Sequence, residues 1–190
     1  MTYQDSTYKG KGTHIFGVPT AVVAALKAMA ATTNYAQYDV MSNSASAGTV
    51  WTFAMPEGCP PGATIEIMDA LLYAKNTQAT HLTRMYLFNS SALNCNLNDN
   101  VANTIPVAAD MYSGTTPLTK AQKYIDFGAL TQAGSGGRQA VVTPGDGKLP
   151  LTVQLGAAET NLYGVSVDMS GETAELVGGQ YVCALWIRWN

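Results

Sequence analysis

Gln180-Tyr-Val-Cys-Ala-Leu-Trp-Ile-Arg-Trp-Asn190, the C-terminal run, is rich in β-branched and aromatic residues and holds neither Gly nor Pro. At the strand period, Tyr181, Cys183, Leu185, Ile187 and Trp189 share one face, and Val182, Ala184, Trp186 and Arg188 the other. A strand with one wet face alternates apolar and polar. This one is apolar on both faces, which predicts a central strand covered on both sides. One cover is the opposite sheet of a sandwich. The other, over Trp186, comes either from the chain itself or from another subunit.

Further strand signals lie upstream of this run. Leu162–Asp168 and Leu149–Leu155 alternate cleanly. Gln139–Thr143 precedes Pro144-Gly-Asp-Gly147, and Asp-Gly is a strong hairpin turn signal. Tyr124–Gly128 is short, and Ala133–Gly137 is a Gly-rich loop with no phosphate-binding pattern. Thr64–Ala74 and Thr80–Phe88 flank a five-residue polar link that suits a hairpin, with Asp69 and Arg84 placed to pair across it. Val50–Met55 and Tyr35–Met41 complete eight or nine short strands. The pattern predicts a mainly β chain folded as an antiparallel sandwich or barrel. Asn89–Gly114, at 26 residues, exceeds an ordinary connection, so it is expected to pack over one sheet, with a helical turn near Asn98–Ala102.

The N-terminal part differs. Val22, Val23, Leu26 and Met29 fall on one helical face among alanines after Pro19, which predicts one short helix over Pro19–Thr33. Residues 1–18 lack periodicity but carry Tyr3, Tyr8, His14, Ile15 and Phe16, so they read as an extended arm lying along a surface. The expected organisation is an arm and helix over 1–33 and a β-sandwich over 34–190.

Charged residues are 12% of the 190, about half the roughly 25% of ordinary soluble domains. Such a surface favours life in an assembly. The net charge is −3 and the ten Lys and Arg are scattered, so no nucleic-acid footprint exists. No run has the length of a membrane span, and Met1–Gly17 has no signal-peptide core. Cys59, Cys95 and Cys183 are an odd set at wide spacings with no C-x-x-C pair, so no disulfide framework is expected, and Cys183 reads as a small buried residue.

No constellation names a chemistry. His14 and His81 have no ligand-spaced partner, and no G-x-S-x-G elbow exists. Asp99, Asp110 and Asp146 lie in loops without calcium-loop spacing. The expectation is no catalytic residue, no metal and no cofactor. Ten Tyr and three Trp would suit a sugar-binding surface, but in sandwiches they serve more often in cores and contacts.

Leu82-Thr-Arg-Met-Tyr-Leu-Phe-Asn-Ser-Ser-Ala92, followed by the Asn-rich loop, Tyr124-Ile-Asp-Phe-Gly128, the Gly/Pro turn and Asn161-Leu-Tyr-Gly-Val-Ser-Val167, resembles the phage capsid decoration, or cement, proteins. The similarity covers about Thr64–Asn190. It implies a jelly-roll-like β-sandwich made in the bacterial cytoplasm and carried on the virion's outer surface. It also implies a homotrimer that binds the major capsid protein and is not an enzyme. Tyr3, Tyr8, Lys9, Lys11, Ile15 and Phe16 are then the candidate capsid contacts, and Trp186 and Trp189 the candidate subunit contacts. The rival reading is a carbohydrate-binding sandwich on a head fibre or tail, which an exposed aromatic row would favour.

Overall fold

A computed structural model describes residues 19–30, 35–75, 79–80, 82–91, 93, 95–105, 123–170 and 179–189. Two antiparallel sheets pack face to face. One holds β1 (Thr20–Val23), β2 (Lys27–Ala28), β5 (Thr64–Ala74), β8 (Thr131–Gln132), β9 (Arg138–Val142), β10 (Leu151–Gln154) and β12 (Gln180–Trp189). The other holds β3 (Val40–Met41), β4 (Trp51–Ala54), β6 (Thr83–Phe88), β7 (Lys123–Phe127) and β11 (Asn161–Asp168).

Three of the ladders are single strands interrupted in the middle. β1 and β2 lie end to end along β12, β3 and β4 along β11, and β9 and β10 along β5. With each broken strand taken as one and the two-residue β8, which only flanks β9, left aside, the chain pairs its first strand with its last, its second with the next to last, and so inward to β6 with β7. This nested pairing is the jelly roll.

Four expectations change. Pro19–Thr33 is not a helix: β1 and β2 occupy its described part, with Val22, Ala24, Lys27 and Met29 turned in and Val23 and Leu26 exposed. The edge of β12 needs backbone partners there, and pairing overrides the alanines' helix preference. β5 and β6 form no hairpin, because they belong to different sheets. Asp69 lies opposite Trp186 while Arg84 pairs with Asp126 on β7. Pro144–Asp146 forms a 3-10 turn that interrupts a strand rather than reversing it. Near Asn98–Ala102 the chain makes a turn with Asn100 at φ 55° in place of a helical one.

The main core lies between the sheets. Ile65, Ile67, Leu72, Cys183, Leu185 and Ile187 from one side meet Phe53, Met85, Leu87 and Phe127 from the other. A second cluster (Val40, Phe88, Tyr163, Val165 and Val167) sits on the outside of the five-stranded sheet. There the described part of the Asn-rich excursion covers it with Leu93, Leu97 and Ile105. For the described residues of that loop, up to Ile105, the expected packing over one sheet is found. Val40 N–H donates to Val101 O and Asn100 N–H to Val40 O, which ties the loop to β3. Gly48 sits under it, where a Cβ would overlap the carbonyl oxygen of Leu97. Gly48→Ala should therefore destabilise the fold by about 1–3 kcal/mol, read as a lower urea midpoint. An unchanged midpoint would mean the loop is not held at this distance.

Candidate functional site

The outer face of the seven-stranded sheet is where β12 departs from an ordinary surface strand. Tyr181, Cys183, Leu185 and Ile187 point into the core and are fully buried. On the other face Val182, Trp186 and Arg188 are half-buried. The register carries one outward row across four strands: Val23 beside Ala184, Ala184 beside Leu71, and Leu71 beside Val141. Neighbouring strands are about 4.8 Å apart, so this apolar row runs about 14 Å. Its ends are open, with Val23 58% and Val141 50% exposed. Trp186 and Tyr73 flank it, and the Arg188–Glu66 ion pair (2.6 Å) lies beyond Trp186. Large apolar side chains in register on an outer face mark a contact surface more often than scattered ones do.

Trp186 and Trp189, the two sequence candidates for subunit contact, lie on opposite faces. Trp186 belongs to the outer face, and Trp189 packs half-buried against the chain's own core. The structure therefore leaves Trp186 beside the row and separates Trp189 from it. Val23, Leu71 and Val141 were not read as contact residues in the sequence. A strand register was needed to align them, and the helix reading of Pro19–Thr33 hid Val23. The capsid-contact candidates Tyr3, Tyr8, Lys9, Lys11, Ile15 and Phe16, with His14 and His81, lie outside the described residues.

A second concentration of chemistry lies at the seam between β2 and the loop joining β3 to β4. Lys27 is 7% exposed and points inward from β2, opposite Tyr181. Its ammonium donates to Thr49 O and lies 5.2 Å from the centre of the Trp51 ring. Burial pushes the Lys27 pKa down to about 8, with the charge of Asp99 acting the other way. Asp99, from the excursion loop, is 2% exposed, and its Oδ1 accepts from Tyr35 Oη (2.8 Å) and from Ser42 N–H. Burial, then the charge and hydrogen bond of Asp99, hold the Tyr35 phenol well above its ordinary range. A cavity of about 430 Å³ opens beside Lys27, with Leu26, Asn43, Thr49 and Trp51 among its walls.

The third cluster is on the outside of β6 and β7. Arg84 makes a two-pronged ion pair with Asp126 (2.6 and 2.9 Å), and its guanidinium stacks 4.1 Å from the Tyr124 ring centre. Tyr86 and Tyr124 lie side by side, ring centres 6.0 Å apart, and Tyr124 is 45% exposed. The hydrogen bond to Asp126 holds the Arg84 pKa above its ordinary value.

The remaining sequence candidates are placed as follows. Cys183 is fully buried, and burial raises its thiol pKa, as it does for Cys59 and Cys95. Asp146 accepts from Thr143 N–H and caps its own turn, and Asp110 lies outside the described residues. No group of three or more His, Cys, Asp or Glu able to hold a metal occurs among the described residues. No protein-family model, no curated protein and no solved structure matches this chain.

Tyr35→Phe removes one of the hydrogen bonds to the buried Asp99 carboxylate and should cost about 1.5–3 kcal/mol. The same change alters the alkaline limb. Above pH 10.0, the ordinary tyrosine value, the unfolded chain releases the Tyr35 proton and the folded chain keeps it. Stability from this group is full below that pH and lost as pH rises through the raised value. Urea melts at successive alkaline pH values should show a steeper fall for the wild type than for Tyr35→Phe, and equal slopes would contradict this.

Proposed function

We propose that this chain is a structural virion protein that decorates and cements a phage head. In this reading it binds the outer surface of the particle as a homotrimer and bridges neighbouring copies of the major capsid protein, without catalysing a reaction. The observation that carries the reading is the apolar row Val23–Ala184–Leu71–Val141 with Trp186 beside it, on a chain that is only 12% charged. A surface of this kind is hidden most simply by symmetric association. Trp186 serves as the aromatic anchor, since aromatic side chains dominate interface energies. The resemblance of Thr64–Asn190 to cement proteins supports the trimer and the capsid as partner. The jelly-roll order agrees with it but hosts other functions too.

In the same reading, residues 1–18 reach the capsid through Tyr3, Tyr8, Ile15 and Phe16, with Lys9 and Lys11 as charge partners. A chain lacking residues 1–18 should remain folded and associated but bind capsids poorly in co-sedimentation. Undiminished binding would place the anchor in the sandwich.

A carbohydrate-binding role on a head fibre or tail is the second reading. It is favoured by the exposed Tyr124 beside Tyr86 and the Arg84–Asp126 pair, an aromatic face next to paired donors and acceptors. Tyr124→Ala would then abolish glycan retention while leaving capsid binding unchanged.

Oligomeric mass separates the structural reading from a free-standing domain. The wild type should run as a trimer in light scattering at micromolar concentration. The double variant Val23→Lys, Val141→Lys changes only exposed positions and should run as a monomer with an unchanged circular dichroism spectrum. A monomeric wild type, or an associated double variant, would overturn the reading.

A further inference from the structure

Lys27 carries a buried charge with no counter-charge in contact. It sits on β2, at the edge of the seven-stranded sheet, and is only 7% exposed. Long charged side chains at an edge normally turn their heads to water. An ammonium has three donors. Here one goes to Thr49 O, and the Trp51 ring centre lies 5.2 Å away. Among the described residues no carboxylate pairs with it, since the ion pairs there are Arg84–Asp126 and Arg188–Glu66. Asp99 acts on it through its charge, while Asp99 Oδ1 is taken by Tyr35 and Ser42. A buried charge is ordinarily paired, because its lost hydration is otherwise uncompensated.

The space beside that charge is a cavity rather than packed core. Thr49 and Trp51, the two groups the ammonium touches, are both walls of the cavity of about 430 Å³ at the seam, together with Lys27 itself. Small-molecule sites have volumes of about 300–1,000 Å³. Leu26 and Val50 give this one an apolar side. Asn43 adds a second polar wall, and its amide is oriented by the loop. Asn43 Oδ1 accepts from Thr49 N–H (2.9 Å), from Thr49 Oγ1 (2.9 Å) and from Ser42 Oγ (3.3 Å). Its Nδ2 is therefore the end left without a partner among the described residues. The donors that the fold does not use thus belong to Lys27 and Asn43, and no Asp or Glu is among the described residues lining the space. Unused donors beside an uncompensated positive charge select an anion. The apolar side selects an anion with a hydrocarbon body.

The geometry points to a carboxylate-binding pocket at the seam between the two sheets, whose ligand is a small organic acid. The carboxylate pairs with the Lys27 ammonium and accepts from Asn43 Nδ2. The hydrocarbon part lies against Leu26 and Val50. Binding supplies the counter-charge that the fold leaves out and replaces the hydration Lys27 gave up on folding. Inorganic phosphate or sulfate would meet the donors but leave the apolar side uncovered. The pocket does not depend on the virion reading.

The test is an amide NMR titration of the isotope-labelled full-length protein with sodium acetate, butyrate and hexanoate, against sodium chloride at equal ionic strength. The amide signals of Ala28, Thr49 and Val50 should shift saturably, with hexanoate about tenfold or more tighter than acetate. Chloride should give no saturable shift, and uncharged hexanamide should bind far more weakly than hexanoate. Lys27→Met keeps an unbranched apolar side chain and should weaken hexanoate about tenfold or more. Asn43→Ala should weaken it by a smaller factor. No saturable shift with any carboxylate overturns the proposal, and that result comes from the wild type alone. Hexanamide binding as tightly as hexanoate overturns it too, since the charge would then play no part. If Lys27→Met lowers the urea midpoint but binds hexanoate as the wild type does, Lys27 is a fastener for the β3–β4 loop and the proposal is wrong. A capped glutamate peptide that binds more tightly than hexanoate would make the pocket a receptor for a partner's acidic side chain and overturn its assignment to a free acid.

Discussion

The ladder between β5 and β12 is the constraint on which the rest depends. It runs from Tyr181 beside Ala74 to Trp189 beside Ile65, with one slip near Trp186. Both strands have partners on their other edges too, so their backbone groups are satisfied along most of their length. β12 is the last strand and its outer neighbours are the first two, so the N-terminal strands come back to it. That return closes the jelly roll, brings Val23 into the outer row and sends Lys27 into the seam. Without β1 and β2, β12 would present an open edge of the kind that invites unwanted pairing.

The alternation of apolar residues made the strands legible, and the two-sided character of Gln180–Trp189 pointed to its central position. Cys183 and the Asn-rich excursion were readable for the same reason: burial and loop length are local properties. Strand partners were not readable. Asp69 and Arg84 face away from each other's sheets, because the link between β5 and β6 crosses the sandwich, and nothing in a five-residue polar link tells a hairpin from a crossing. Pro144-Gly-Asp-Gly147 has hairpin chemistry, yet both flanking strands continue along the same edge of β5, which sets their course. In Pro19–Thr33 the alanines and the Val22–Met29 spacing fit a helix. The inward positions Val22, Ala24, Lys27 and Met29 fit a strand with one phase change, and the open edge of β12 decided between them.

The candidate surfaces followed the same division. Trp186 was visible in the sequence as the bulky member of the second face. The row beside it was not, because Val23, Leu71 and Val141 come from three separated segments and align only through register. Lys27 was hidden inside an apparent helix, and Asn43 inside a small-residue loop. Tyr124 and Arg84 were noted as parts of strands, but their stacking needed the pairing of Tyr86 with Tyr124 and of Arg84 with Asp126.

The central claim is that the outer face of the seven-stranded sheet is the surface this chain buries against its own copies. Hydroxyl-radical footprinting, read by mass spectrometry below and above the concentration of association, reports side-chain exposure residue by residue. Val23, Tyr73, Val141 and Trp186 should lose reactivity together as the chain associates, while Tyr124 on the opposite sheet keeps its own. If those four residues stay as reactive in the associated protein as in the single chain, the face is not the interface and the claim is wrong.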